Sequence, residues 1–186
     1  MTVEHERLTL KRLKAANQQS AEQLLKMSKA ASIGIVTAES CTAGLLGLTL
    51  SDAPGAAEHF HGSFVTYTKE QKTSALGLPP ELLRASAVSC DVASAMAAGA
   101  LQRSRARLAM AITGVAGPEP DEDGNPVGRV CMAVSLGGSN RTFERRYGDI
   151  GRELVRHRAV NDTLRAMLEL VEWVRSSAEE MPRSSA

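Results

Sequence analysis

Aromatic side chains are scarce in this 186-residue chain: one tryptophan, two tyrosines and three phenylalanines, 3% of the residues. A groove that grips single-stranded nucleic acid needs stacking platforms, and this composition supplies few. Charge of one sign is missing as well. With 22 lysines and arginines against 21 acids the net charge is +1, so no global field steers the chain toward a polyanion. Cysteine is limited to Cys41, Cys90 and Cys131. An odd number without Cys-x-x-Cys spacing excludes a disulfide framework or zinc cluster as the organising device. The histidines (His5, His59, His61, His157) are scattered. His59 and His61 flank Phe60 and read as loop or strand-edge residues rather than a metal pair, so no ligand set for a catalytic metal is expected. No apolar run approaches the roughly 20 residues that span a bilayer. The N-terminus mixes both charge signs and lacks the apolar stretch of a signal peptide. These absences point to a chain with no membrane segment and no nucleic-acid partner, with the cytoplasm as the default location.

What is present is ordinary for a globular α/β protein: 43% hydrophobic and 23% charged residues, enough for one full core. Residues 1–17 are polar, with weak helical spacing at Leu8, Leu10 and Leu13, and read as an N-terminal extension, partly helical or disordered. The domain proper is expected over 18–176 and a frayed tail over 177–186. Apolar spacing predicts a helix over 20–31, a strand over 33–37 and a helix over 42–51. A turn follows at 52–55, then a strand over 63–68 and short helical pieces at 69–75 and 80–84. Ser89 is placed as the N-cap of an alanine-rich helix over 91–103. Strands are predicted at 108–113, 127–136 and 141–147, the last two joined by a hairpin at 137–140. A final helix over 152–175 carries Val160, Leu164, Met167, Leu168, Val171 and Val174 on one face. Cys131 falls in an apolar strand and reads as core. Helices alternating with strands, then a late hairpin, predict a three-layer α/β/α sandwich around a mixed, mostly parallel sheet.

The most informative stretch is 38–44, AESCTAG, between a strand and a helix start. Backbone N–H groups at such a junction point outward unpaired and carry partial positive charge. A hydroxyl or thiol among them could attack a carbonyl while the N–H groups hold the oxyanion. Ser40 and Thr42 equally suit a simple N-cap, and Cys41 is a second candidate nucleophile, since helix N-termini lower thiol pKa. A second motif, TGVAGP at 113–118, also follows a strand. If the two strands are adjacent and parallel, both loops face one cleft. Its glycines suit backbone that must approach a ligand or take positive φ, though a turn needing glycine would look the same. Neither G-x-G-x-x-G nor P-loop spacing occurs, which disfavours a dinucleotide fold or a kinase. Tyr67 and Lys72 lie five residues apart across a strand-to-helix junction. A lysine can serve a serine as general base when burial lowers its pKa, but spacing does not separate Lys72 from Lys69 or from a solvated helix charge. The acidic turn DEDGN could be imagined as a Ca²⁺ loop and reads more simply as solvated.

In order along the chain, AESCTAG, GSFVTYTKEQK, AVSCDVASAMAAGA, ITGVAGP and NPVGRV closely resemble the CinA C-terminal domain family, which includes nicotinamide-nucleotide amidases. The resemblance runs from about Glu22 to Leu170 and implies a compact α/β/α domain, in stand-alone form. It implies hydrolysis of the carboxamide of nicotinamide mononucleotide to nicotinate mononucleotide and ammonia, without metal or organic cofactor. The family serine falls on Ser40 and the family tyrosine and lysine fall on Tyr67 and Lys72. The implied mechanism is acyl transfer. Lys72 takes the Ser40 proton, Tyr67 bonds Lys72 or relays a proton, and N–H groups near Cys41 and Thr42 hold the oxyanion. Substrate binding is expected from Gly114, Ala116 and Gly117 of the second motif and from Arg152 and Arg156, which resemble the family's GDR arginine and the arginine after it. A pyridine nucleotide is the implied small-molecule partner, and a homo-oligomer is expected. The sequence departs from the family pattern at Ala43–Gly44 in place of paired glycines, at Thr68–Lys69 in place of Ser-Asn, at the acidic 119–123 and at Arg129. These changes bear on substrate more than on fold, and they leave open a non-catalytic nucleotide-binding or protein-interaction module.

Overall fold

The computed structural model describes residues 3–180. Its elements run α1 (Val3–Ala31), β1 (Ile35–Glu39), α2 (Leu45–Ser51), α3 (Ala56–His59), β2 (Phe60–Val65), α4 (Lys69–Leu76), α5 (Pro80–Leu83), α6 (Cys90–Gln102), β3 (Leu108–Gly114), β4 (Arg129–Leu136), β5 (Ser139–Arg146) and α7 (Arg152–Glu180). The five strands form one sheet in the order β2-β1-β3-β4-β5. β1 pairs parallel with β2 and β3, while β4 is antiparallel to both β3 and β5. Four strands therefore share one direction and β4 alone opposes them. Among the described residues no helix is long and apolar enough to cross a membrane.

The period-two alternation of strands sends side chains to two separate cores. On one face Ile35, Met110, Ile112 and Met132 pack against Leu24 and Leu25 of α1, Leu46 and Leu50 of α2, and Val160, Leu164 and Met167 of α7. On the other, Val36, Ala109, Ala111 and Ala133 meet Leu76 of α4 and Val92, Ala93, Met96, Ala97 and Ala100 of α6. Small residues on β3 and β4 oppose small residues on α6, so this helix lies close to the sheet. The result is the expected three-layer arrangement. Ser89 caps α6 by accepting the Val92 N–H at 3.1 Å. Cys131 is fully buried.

Several boundaries differ from the sequence reading. The helix expected from residue 20 begins at Val3 and forms one continuous rod. Its polar residues find partners on α7: Lys14 pairs with Glu153 at 2.9 Å, and buried Asn17 donates to the His157 carbonyl at 3.1 Å and accepts from Asn161 at 2.9 Å. A polar stripe matched by another helix is invisible in a one-helix pattern. β1 ends at Glu39 rather than residue 37, and β2 spans Phe60–Val65 rather than 63–68. α3 occupies a stretch next to the predicted turn, α2 starts at Leu45 rather than 42, and α7 runs on to Glu180. The expected tail from 177 lies, beyond Glu180, outside the described residues. The consequence that matters is topological: β1 and β3 are adjacent and parallel, so the loops after both open at the same end of the sheet.

Gly99 in the middle of α6 fixes how near α4 can sit. A Cβ there would stand 2.4 Å from the Leu76 carbonyl oxygen and 3.0 Å from the Leu76 Cβ. Helix propensity alone favours Gly99→Ala by about 1 kcal/mol. The clash with fixed backbone reverses that sign, and Gly99→Ala is expected to destabilise the protein by roughly 1–3 kcal/mol in urea unfolding. A stabilised variant would mean that α4 and α6 are not in tight register.

Candidate active site

The turn after β1 is built around a buried carboxylate. Glu39, the last residue of the strand, is fully buried. Its Oε2 accepts from the Thr42 hydroxyl at 2.8 Å and from the Gly44 and Leu46 N–H groups at 3.1 and 3.0 Å. Its Oε1 accepts from the Gly47 N–H at 2.8 Å and the Ser63 hydroxyl at 3.0 Å. The free N–H groups opening α2 thus have a carboxylate rather than a Ser or Thr cap. The cap position itself is Gly44, with φ +93° and no side-chain bond, preceded by Ala43 at φ +52°. Ala43 is in the left-handed region that a glycine would enter freely. The N-cap alternative for Ser40 and Thr42 therefore fails. The Thr42 hydroxyl is spent on Glu39, and Ser40 is free for another partner.

That partner is Lys72. Thr68 caps α4 by accepting the Gln71 N–H at 3.1 Å, and Lys72 reaches from the first turn of the helix beneath Ser40. Its Nζ stands 2.8 Å from Ser40 Oγ and 2.8 Å from the Thr66 carbonyl oxygen. Lys72 is 0% exposed. Both partners are neutral, so nothing compensates the charge of an ammonium. Burial pushes the amine down to about 8, with Cys41 pulling weakly the other way. Burial also pushes the Cys41 thiol up to about 12 despite the nearby positive charge of Arg156 and Lys72. A thiol held protonated is a poor nucleophile, which leaves the hydroxyl.

Above Ser40 opens a cleft of about 360 Å³. Ser40, Cys41, Tyr67, Gly114, Ala116, Gly117 and Arg152 all line it. Lys72 lies directly under its floor. Thr42 and Arg156 do not line it; they border a neighbouring hollow that Arg152 shares. Arg156 instead donates from Nε to the Cys41 carbonyl at 2.7 Å and braces the nucleophile turn. The N–H groups of Cys41 and Thr42 make no hydrogen bond among the described residues, unlike those of Ala43, Gly44 and Leu45. They remain available to an oxyanion. Gly114 closes the β3–β4 ladder where a Cβ would lie 2.6 Å from the Arg129 carbonyl oxygen. Of the two roles set out for Tyr67, the hydrogen bond to Lys72 is not made. The tyrosine side chain is 58% exposed on the cleft wall and its hydroxyl makes no hydrogen bond among the described residues. The second bond of Lys72 goes to Thr66 because the chain leaves the sheet there.

The acidic stretch is solvated only in part: Glu119 and Glu122 are exposed, while Asp121 and Asp123 are drawn inward. Asp121 accepts from the N–H groups of Asp123 and Asn125 and from the Asn125 side chain, and Asn125 in turn donates to Ser86 and accepts from Arg129. Asp123 pairs with Lys69 at 2.6 Å and accepts the Ala87 N–H at 3.2 Å. The loop is folded against the cleft. Among the described residues no group of three or more His, Cys, Asp or Glu could hold a metal ion. The residue that sequence reasoning missed is Glu39. The available signal was an acid ending an apolar strand three residues before a threonine.

The family model described as CinA C-terminal domain matches residues 17–171. A putative competence-damage inducible protein of Symbiobacterium thermophilum is 53% identical over 100 residues, covering 53% of this chain and 24% of that protein. A CinA-like protein of Mycobacterium tuberculosis is 52% identical over 103 residues, 55% of this chain and 24% of that protein. The matched stretch thus spans about a quarter of the length of these curated relatives. Among solved structures, the competence/damage inducible protein CihA from Agrobacterium tumefaciens superposes with a TM-score of 0.80 at 38% identity, covering 83% of this chain and 95% of that one. A CinA superfamily protein from Escherichia coli gives 0.79 at 36% identity, with 83% and 90% coverage.

Replacing Glu39 tests the turn. Glutamine keeps the shape but turns one acceptor into a donor that faces N–H or O–H groups. Glu39→Gln is expected to cost roughly 2–4 kcal/mol of stability in urea unfolding, through unpaired buried donors. An unchanged midpoint would mean that the carboxylate does not organise the turn.

Proposed function

The chain belongs to the CinA C-terminal domain family, and from that premise we propose that it is an amidohydrolase that deamidates the carboxamide of a nicotinamide nucleotide through a Ser40–Lys72 pair. The observation that carries this reading is a fully buried lysine amine 2.8 Å from a serine hydroxyl at the floor of a cleft. A binding module has no use for that arrangement, which costs folding energy whenever the amine is charged.

In the proposed cycle neutral Lys72 accepts the hydroxyl proton as Ser40 Oγ bonds to the carboxamide carbon. The carbonyl oxygen takes up negative charge and is held by the Cys41 and Thr42 N–H groups. Lys72 then passes its proton to the nitrogen, the C–N bond breaks, and ammonia leaves an ester on Ser40. Water loses a proton to Lys72 as it attacks that ester. Return of the proton to Ser40 Oγ frees the carboxylic acid and restores the pair. Arg156 serves by holding the Cys41 carbonyl, and so orients both oxyanion donors. Tyr67 offers its ring to the substrate from the cleft wall. Gly114, Ala116 and Gly117 let backbone approach the ligand, and Arg152 is the uncommitted cation at the rim.

Ammonia release from nicotinamide mononucleotide is the direct test. Ser40→Ala should abolish turnover at near-native stability, while Cys41→Ala should keep most of it. A dead Cys41 variant beside an active Ser40 variant would reverse the nucleophile.

Lys72→Met should lower turnover on the order of 100-fold or more, whereas Lys69→Asn should retain it. Because the neutral amine is the base, kcat/KM should rise with pH through about 8 and then level. A profile flat from pH 6.5 to 9.5 would remove Lys72 from that role.

A further inference from the structure

The cleft beside Ser40 has an unusual charge pattern for a site that must accept a phosphate. Glu119, Asp121, Glu122 and Asp123 line it, against two cations, Lys69 and Arg152. Arg152 is uncommitted among the described residues, and Lys69 opens the same helix as Lys72. Lys69 is already engaged: Nζ lies 2.6 Å from Asp123 and 4.0 Å from Glu122. The pair is not a loose surface contact. The Asp123 side chain is only 12% exposed and its second oxygen accepts the Ala87 N–H at 3.2 Å. The loop that delivers it is pinned by Asp121, Asn125, Ser86 and Arg129. A phosphate entering here would meet three further carboxylates and would compete with Asp123 for Lys69. The cleft also presents Tyr67, a half-exposed aromatic ring, and aromatic faces attract cations.

We propose, building on the amidase reading, that this cleft prefers a cationic carboxamide without a phosphate, such as an N-ribosylated pyridinium carboxamide, and that the Lys69–Asp123 pair sets this preference. The chemistry is the same hydrolysis: water adds to the carboxamide, ammonia leaves, and the positively charged ring nitrogen keeps its bonds. What changes is which substrate is admitted. A pyridinium is attracted by the acidic wall, and a phosphate dianion is repelled by it.

The test compares kcat/KM for nicotinamide riboside and nicotinamide mononucleotide at low ionic strength. The wild-type protein should favour the riboside on the order of tenfold, and added salt should narrow the gap as screening grows. Asp123→Asn keeps the acceptor for Ala87 but releases Lys69, and should shift the ratio several-fold toward the mononucleotide. A tenfold preference for the mononucleotide, or an unchanged ratio in Asp123→Asn, overturns the proposal. If neither compound is hydrolysed, the amidase reading fails, and equilibrium binding to Ser40→Ala still decides this one. Tighter riboside than mononucleotide binding supports it; tighter mononucleotide binding, or no binding of either, overturns it.

Discussion

A lysine amine sealed beneath the sheet end, with only a serine hydroxyl and a backbone carbonyl for company, is the constraint on which the rest of this structure turns. A charged ammonium there has no counter-ion. Moving its pKa from an ordinary 10.5 to about 8 corresponds to roughly 3 kcal/mol of lost favour for the charged form. The protein therefore holds Lys72 close to the pH at which it can both take and give a proton. Glu39, a short distance along the chain, shows the opposite solution to burial. Five donors surround its carboxylate, and it remains a fixed acceptor that shapes the turn. One buried group is left undersolvated and the other is fully solvated by the protein.

The fold supplies these environments by simple means. Parallel β1 and β3 bring two loops to one end of the sheet, and β2 ends so that the Thr66 carbonyl lies next to the turn. α4 then starts close enough for Lys72 to reach under Ser40. The small residues of α6 let α4 sit against it. Arg156 from α7 and Ser63 from β2 each contribute one bond to the 39–44 turn. Ser40 and its turn are thus held by elements from both faces of the sheet.

Much of this was legible in the sequence. The apolar runs at 108–113 and the capping serine at 89 told their elements directly, because local pattern and tertiary role agree there. AESCTAG marked the turn that brings Ser40 to the cleft, and resemblance singled out Lys72, the lysine that meets it, from Lys69. The misses share a cause: partners far away in sequence. Glu39 reads as a strand-ending charge until Ser63 and the α2 amides surround it. Residues 1–17 read as an extension, partly helical or disordered, until Asn17 and Lys14 meet α7. The acidic stretch reads as solvated until Lys69 and Ala87, 54 and 36 residues away, take hold of Asp123. Tyr67 was placed beside Lys72 by family spacing, but the early end of β2 gives that position to the Thr66 carbonyl.

That burial holds the Lys72 amine well below its ordinary pKa has a thermodynamic signature independent of any substrate. Its folded pKa of about 8 lies below the unfolded value of 10.5, so between those values the unfolded chain binds the additional proton and stability rises with pH. The measurement is the unfolding free energy of the wild-type protein and of Lys72→Met across pH 7 to 10.5, taken as a difference so that other titrating groups cancel. The wild type is expected to gain on the order of 3 kcal/mol relative to the variant across that window. Parallel curves would mean that Lys72 titrates alike in both states, and the base proposed for Ser40 would not exist.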